Sequence, residues 1–187
     1  MTARARTAAA ALVLAALMAA PGASSTILVR LDLAALVAGS RLVFEGTVIE
    51  RVASWRDGRI VTHNTLSVDE VLKADEETPA TVSIATPGGE VGDVGLWVPG
   101  SSRFVVQERY LVFARRSKSG WRVTGMAQGC LRIVTDDAGR DWVLPPAAAG
   151  LVAWKDGVLV PAHPFLTKPV TLEDLEGRIL ELDQAAP

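Results

Sequence analysis

The chain contains a single cysteine, Cys130, and therefore no internal disulfide. A domain of this size without a bridge must be held together by its core. A lone cysteine can be a nucleophile, half of an intermolecular bridge, or a small buried side chain; the apolar neighbours Leu131 and Ile133 favour the last. Histidine is nearly as scarce. His63 and His163 stand a hundred residues apart, without the close spacing of a helical metal site. No Gly-x-Ser-x-Gly elbow is present, and no Gly-Lys-Ser/Thr closes a phosphate loop. Positive charge is not in excess: the net charge is −2, which excludes a general nucleic-acid binder. There are no internal repeats and no heptad pattern. These absences remove the familiar catalytic templates and favour a non-catalytic role.

The N-terminus carries a clear pattern. Arg4 and Arg6 precede an uncharged, Ala/Leu-rich run from Thr7 to Ala20, and Pro21-Gly22-Ala23 and serines follow. That order is the one found in secretory signal peptides. The run is too short for the ~20 residues that a membrane-spanning helix needs. Residues 1–23 are thus expected to be a cleaved leader, with cleavage near Ala23 and no cysteine there for a lipid anchor. Loss of Arg4 and Arg6 takes the net charge from −2 to −4. Residues 24–187 are expected to form one domain, secreted or periplasmic, with no membrane span of its own.

Along the remaining chain, Leu31 to Ala38 reads as a short helix, capped by Asp32 and striped by Leu33, Leu36 and Val37. Leu42 to Trp55 and Ile60 to Leu72 read as two long strands joined at Arg56-Asp57-Gly58-Arg59. A three-residue loop there places Val48 opposite Leu66, Gly46 opposite Val68 and Ser54 opposite Ile60. It separates one apolar face from one polar face, whereas a two-residue Asp-Gly turn mixes them. The same register sets His63 opposite Arg51 and Glu45 opposite Asp69.

Further strands are expected over Ala80–Thr86, Arg109–Arg116, Trp121–Met126 and Cys130–Val134, with a return at Trp142-Val143-Leu144. Phe104-Val105-Val106 reads as a short extended stretch. A hairpin turning at Asp156-Gly157 comes next, then a C-terminal helix capped by Thr171 and striped by Leu172, Leu175, Ile179 and Leu182. The expected fold is mainly β: an antiparallel OB-like barrel or sandwich of five or six strands with short flanking helices.

One stretch stands apart. Pro87 to Gly100 holds five glycines, yet also Leu96, Trp97 and three valines. Its acids Glu90 and Asp93 would repel phosphate. Val91 spoils the third glycine of a Gly-Gly-x-Gly-x-Asp calcium repeat. What remains is an apolar connection in which Trp97 either plugs the barrel or meets a partner. Trp97, Glu90 and Asp93, with Trp55 at the first hairpin tip, are the candidate binding residues for a protein partner in the envelope or outside the cell. Trp121 and Trp142 are expected in the core. The rival reading is a secreted hydrolase or metal-dependent enzyme built on Glu45, Asp69 and Glu70, since close carboxylates can hold a cation or share a proton. No cofactor is assigned.

Six elements together resemble a group of uncharacterised secreted bacterial proteins. They are Leu42 to Val48, Val71-Leu72-Lys73, Thr86-Pro87-Gly88-Gly89, Val98-Pro99-Gly100 followed by Phe104, Glu108 to Phe113, and Trp121 to Gly129. The resemblance covers roughly residues 31 to 134, and it implies an exported β-barrel domain without an assigned activity. The strand pattern is also similar to the netrin-like OB barrels that include tissue inhibitors of metalloproteinases. Those inhibitors chelate the protease zinc through an N-terminal cysteine. Here no cysteine precedes Cys130, so protease inhibition would need a different contact.

Overall fold

The computed structural model describes residues 27–147 and 150–185. The predicted leader lies outside them. After the edge strand β1 (Leu28–Val29) comes helix α1 (Leu33–Ala38), followed by the long strands β2 (Leu42–Arg56) and β3 (Arg59–Ala74). Next are β4 (Thr81–Pro87), the short β5 (Gly89–Val91) and β6 (Val94–Leu96), then β7 (Arg109–Ser117) and β8 (Gly120–Val123). A 3-10 turn (Met126–Gly129) leads to β9 (Cys130–Thr135) and β10 (Asp141–Val143). The chain finishes with β11 (Leu151–Lys155), β12 (Val158–Pro161), β13 (Val170–Thr171) and helix α2 (Leu172–Gln184). The fold is mainly β with a helix near each end, as expected. It has more strands than the five or six expected, because the connections carry short strands of their own.

Five strands close into a ring. β2 pairs with β3, β3 with β4, β4 with β8 through one parallel contact, β8 with β7, and β7 back with β2. Closure leaves no free edge in the ring. β7 serves two partners on its other side: Ala114–Ser117 pair with β8, and Arg109–Val112 pair with β9. β9, β10 and β13 therefore branch away as an extension of the same sheet. A separate three-stranded sheet, β1-β11-β12, completes the architecture. Among the described residues, no helix is long and apolar enough to cross a membrane.

Strand alternation divides the apolar residues between two cores. Leu42, Phe44, Val48, Leu66, Ile84 and Phe104 fill the barrel with Tyr110, whose ring meets Phe104 edge-on at 5.0 Å. Val43, Leu111, Phe113 and Leu131 point outward and are covered by the two helices. Full burial of each large side chain contributes about 1.5–3 kcal/mol. Both helix readings are met. Asp32 accepts from the Ala35 amide at 2.8 Å, and Thr171 from the Asp174 amide at 3.2 Å. Leu33, Leu36 and Val37 are buried on α1, and Leu172, Leu175 and Ile179 on α2. Lys73 joins the two helices to the sheet: its Nζ donates to Val37 O at 3.1 Å and pairs with Asp183 Oδ1 at 2.9 Å. Trp121 is a core residue as expected, whereas Trp142 is only half-buried, its indole donating to Asp136 Oδ2 at 2.9 Å.

The hairpin register corrects part of the sequence reading. The turn is the two-residue Asp57-Gly58 form, with φ of 51° and 72°, and it pairs Trp55 with Ile60 and Ser54 with Val61. The faces do not mix, because β2 carries an extra residue at Ile49 that restores Val48–Leu66 and Gly46–Val68. His63 consequently opposes Val52, and Asn64 opposes Arg51. A second bulge, at Asp69, sets Glu70 rather than Asp69 opposite Glu45.

Candidate functional site

The glycine-rich stretch is a miniature hairpin laid across one end of the barrel. β5 and β6 turn at Gly92-Asp93. The root of the hairpin is fastened by hydrogen bonds to β3 and to the loop that follows. The Gly88 amide donates to Ile60 O at 2.9 Å, Thr62 Oγ1 donates to Gly88 O at 2.6 Å, and Ser101 Oγ donates to Pro87 O at 2.8 Å. Beneath them, Asn64 Nδ2 donates to Ile84 O at 3.1 Å and to Thr86 Oγ1 at 3.0 Å, so these buried polar side chains are bonded. At Gly89 any Cβ would strike the Thr62 side chain, which is why the hairpin can lie flat here only with glycine.

Trp97 follows the hairpin and is 61% exposed, so it does not plug the barrel. It is held in place all the same. The Val98–Ser101 segment turns through Pro99-Gly100, with the Ser101 amide donating to Val98 O at 3.1 Å and Gly100 at φ 76°. The reversal returns Arg103 to Trp97, with the guanidinium carbon 3.5 Å from the ring centroid. This stacked pair is the wall between two clefts. The first, about 710 Å³, is bounded by Arg51, Ala53, Glu90, Leu96 and Val105. The second, about 790 Å³, runs past Pro99, Glu108, Tyr110 and Arg132 to Leu144 and Pro145. Around the wall, Val94, Leu96, Val105 and Val106 are exposed as well.

Of the predicted binding residues, the structure brings Trp97 and Glu90 together at the first cleft. Asp93 sits exposed at the hairpin turn, and Trp55, 53% exposed at the other hairpin tip, lines neither cleft. Arg103 was not among the predicted residues, although the Pro99-Gly100 pair signals the turn that delivers it. Charge in the clefts is uneven. Glu108 is occupied by Arg132 at 2.9 Å and by the Tyr110 hydroxyl at 2.8 Å. Arg51 donates to Asn64 Oδ1 at 3.2 Å, but among the described residues neither Arg51 nor Arg103 has an ion-pair partner. Cys130 borders the second cleft, yet it is buried, and desolvation pushes its thiol far above the usual range, the opposite of an activated nucleophile.

The carboxylates form a separate site on the outer face of the barrel. Glu45, 3% exposed, points toward α2, where Glu176 meets it, and Glu70 of β3 completes a trio with ligand oxygens within 4.8 Å of one another. Asp69 is not part of this trio; it accepts from Thr47 Oγ1 at 2.8 Å and from Ser67 Oγ at 3.4 Å. Arg109 Nη2 donates to Glu45 Oε2 at 3.1 Å, and its Nη1 donates to Asp141 Oδ2 at 2.6 Å. Burial, then the neighbouring Glu176, push the Glu45 pKa up to about 8 against the pull of Arg109. A carboxyl protonated near neutral pH is what a general acid requires. Glu45 lines neither cleft, however, so neither of them brings a substrate to it.

Scans against protein-family models, the curated proteins and the solved structures return no match. The functional reading therefore stands on these residues and their arrangement.

Proposed function

We propose that this protein is an exported, non-catalytic binding module, and that the Trp97–Arg103 wall with its first cleft is the surface that takes hold of a protein partner. One observation carries the reading: a tryptophan is left 61% exposed while a stacked guanidinium fixes its orientation. Rigid, amphipathic aromatic anchors beside arginine are the residue types that dominate binding energy at interfaces. The exposed Leu96 and Val105 extend the apolar contact, and the two unpaired arginines of the first cleft outweigh Glu90. The partner segment thus offers an apolar side to Trp97 and at least one carboxylate to Arg51 or Arg103. The leader-like N-terminus supports a meeting in the periplasm or outside the cell.

The test is capture from envelope and culture supernatant, followed by direct titration of the purified partner. Wild type, Trp97→Ala and Arg103→Glu are compared with the control Trp154→Ala, at an exposed tryptophan of β11 that lines neither cleft. Loss of a central aromatic anchor costs about 2 kcal/mol or more, a thirtyfold weakening, while the melting temperature stays close to wild type. Equal binding by wild type and Trp97→Ala, or equal loss in the Trp154→Ala control, would overturn the reading.

A further inference from the structure

We propose that Glu45, Glu70 and Glu176 form a site for a calcium-class divalent cation that pins α2 to the barrel. The site is independent of the binding surface described above. Three observations lead to it. First, the three carboxylates come from three separate elements, β2, β3 and α2, and converge to within 4.8 Å. Opposite ligands across a calcium ion with bonds of 2.3–2.6 Å are about 4.6–5.2 Å apart, so one ion can touch all three with little movement.

Second, Glu45 is almost wholly buried, and its Oε1 has no hydrogen-bond partner among the described residues. Arg109 occupies only Oε2. A buried carboxylate oxygen without a donor is costly, and an ion at the cluster supplies what it lacks. Third, the charges do not balance. Arg109, the ion-pair partner of Glu45, is shared with Asp141, and among the described residues neither Glu70 nor Glu176 has an ion-pair partner. Lys73, the β3 cation that reaches α2, is engaged by Asp183 at 2.9 Å.

The chemistry selects the ion. All three donors are carboxylate oxygens, and no histidine or cysteine joins them; hard oxygen ligands suit calcium or manganese rather than zinc or copper. Glu70 is exposed and Glu176 partly so, which gives the ion a route from solvent, while Glu45 forms the dry floor. Three carboxylates with no dedicated loop resemble the weaker extracellular calcium sites, with Kd on the order of 10⁻⁴–10⁻³ M.

The competing explanation is a proton shared by Glu45 and Glu176, and the experiment separates the two. Chelator-stripped full-length protein is titrated with calcium chloride and, separately, manganese chloride, by calorimetry and by thermal unfolding. Wild type is compared with Glu70→Gln, which changes an exposed side chain and folds readily, and with Glu176→Gln. The site requires one ion per chain, a melting temperature that rises with calcium, and affinity about tenfold weaker or worse in each variant. Manganese paramagnetism should broaden the signals of α2 and of β3 near Glu70 before those of the Trp97 hairpin. Absence of binding heat and of a thermal shift up to about ten times the upper expected Kd, or an identical calcium response in both variants, overturns the proposal and leaves the shared proton.

Discussion

Replacing Glu45 by glutamine should make the metal-free protein more stable at pH 8 than wild type, and the gain should vanish toward pH 4.5. The folded-state pKa of Glu45 is pushed up to about 8 from an ordinary 4.5. Between those values the folded chain keeps a proton that the unfolded chain has released. Stability therefore falls as pH rises, since the folded state binds more protons. The contribution is fully present below about pH 4.5 and gone above about pH 8. A shift of that size corresponds to a ceiling of about 5 kcal/mol at 1.36 kcal/mol per pH unit. It is a large share of the 5–15 kcal/mol that holds a typical domain. The groups facing Glu45 are Glu176 on α2, Glu70 on β3 and Arg109 on β7, with Asp141 of β10 behind the arginine. Glutamine keeps an oxygen for Arg109 and removes the ionisation. The assay is urea unfolding in chelator at half-unit steps from pH 5 to 9, wild type against Glu45→Gln, so that all other titrations cancel in the difference. A difference that changes by about 2–5 kcal/mol across this window is expected. Curves that run parallel from pH 5 to 9 would refute the reasoning, as would a carboxyl carbon resonance of Glu45 that titrates near its ordinary value.

Other consequences are more local. Gly46→Ala would place a Cβ 2.5 Å from Ser67 O and 2.9 Å from the Phe44 ring, so it should cost about 2–3 kcal/mol and lower the melting temperature by about 5–10 °C. Lys73→Met removes the bond to Val37 O and the pair with Asp183. It should cost about 1–3 kcal/mol and raise amide exchange first at the end of α2. Cys130 should react with iodoacetamide at pH 8 at least about 100-fold more slowly in the native protein than in urea, because its thiol is buried and stays protonated. Rapid native labelling would contradict the burial.

Features written in adjacent residues were legible. Asp32 and Thr171 announce the helix starts, the leucine spacing announces the faces, and Asp57-Gly58 and Asp156-Gly157 both turn hairpins, each with two positive φ values. The barrel class followed from strand spacing, and the seam of β4 against β8 did not, because nothing local marks a parallel contact between distant strands. Glu176 shows why the carboxylate site was only half visible. It lies four residues after Leu172 and three before Ile179, on the border of the buried stripe, so its inward placement could be read. Which strand it would meet depends on where α2 docks, and that is decided by the outer core as a whole. Arg103 was missed because the stack with Trp97 depends on a turn whose two arms must fold back at one particular angle.

The bulges at Ile49 and Asp69, two of the three register shifts in the first hairpin, show how far one extra residue can redirect function. In an unbroken register Asp69 would stand opposite Glu45; the bulge substitutes the longer Glu70 and hands Asp69 to Thr47 and Ser67. The shift matters more at Ile49. Side chains alternate faces along a strand, so one added residue exchanges the whole set that follows. Without the bulge, in a ladder running unbroken from Val48–Leu66 with every residue kept, Glu50 and Val52 would oppose Asn64 and Thr62 and look into the first cleft. With it, Arg51 and Ala53 do. An acid is thereby replaced by a guanidinium at the same point of the cleft wall, next to the root of the Trp97 hairpin. The sign of the charge offered to a partner is thus a consequence of backbone register. Deleting Ile49 removes the extra residue itself and leaves Arg51 opposite Asn64, so the cleft should keep its preference for acidic segments, whereas Arg51→Glu should turn it toward basic ones, measured by binding of oppositely charged peptides to folded protein.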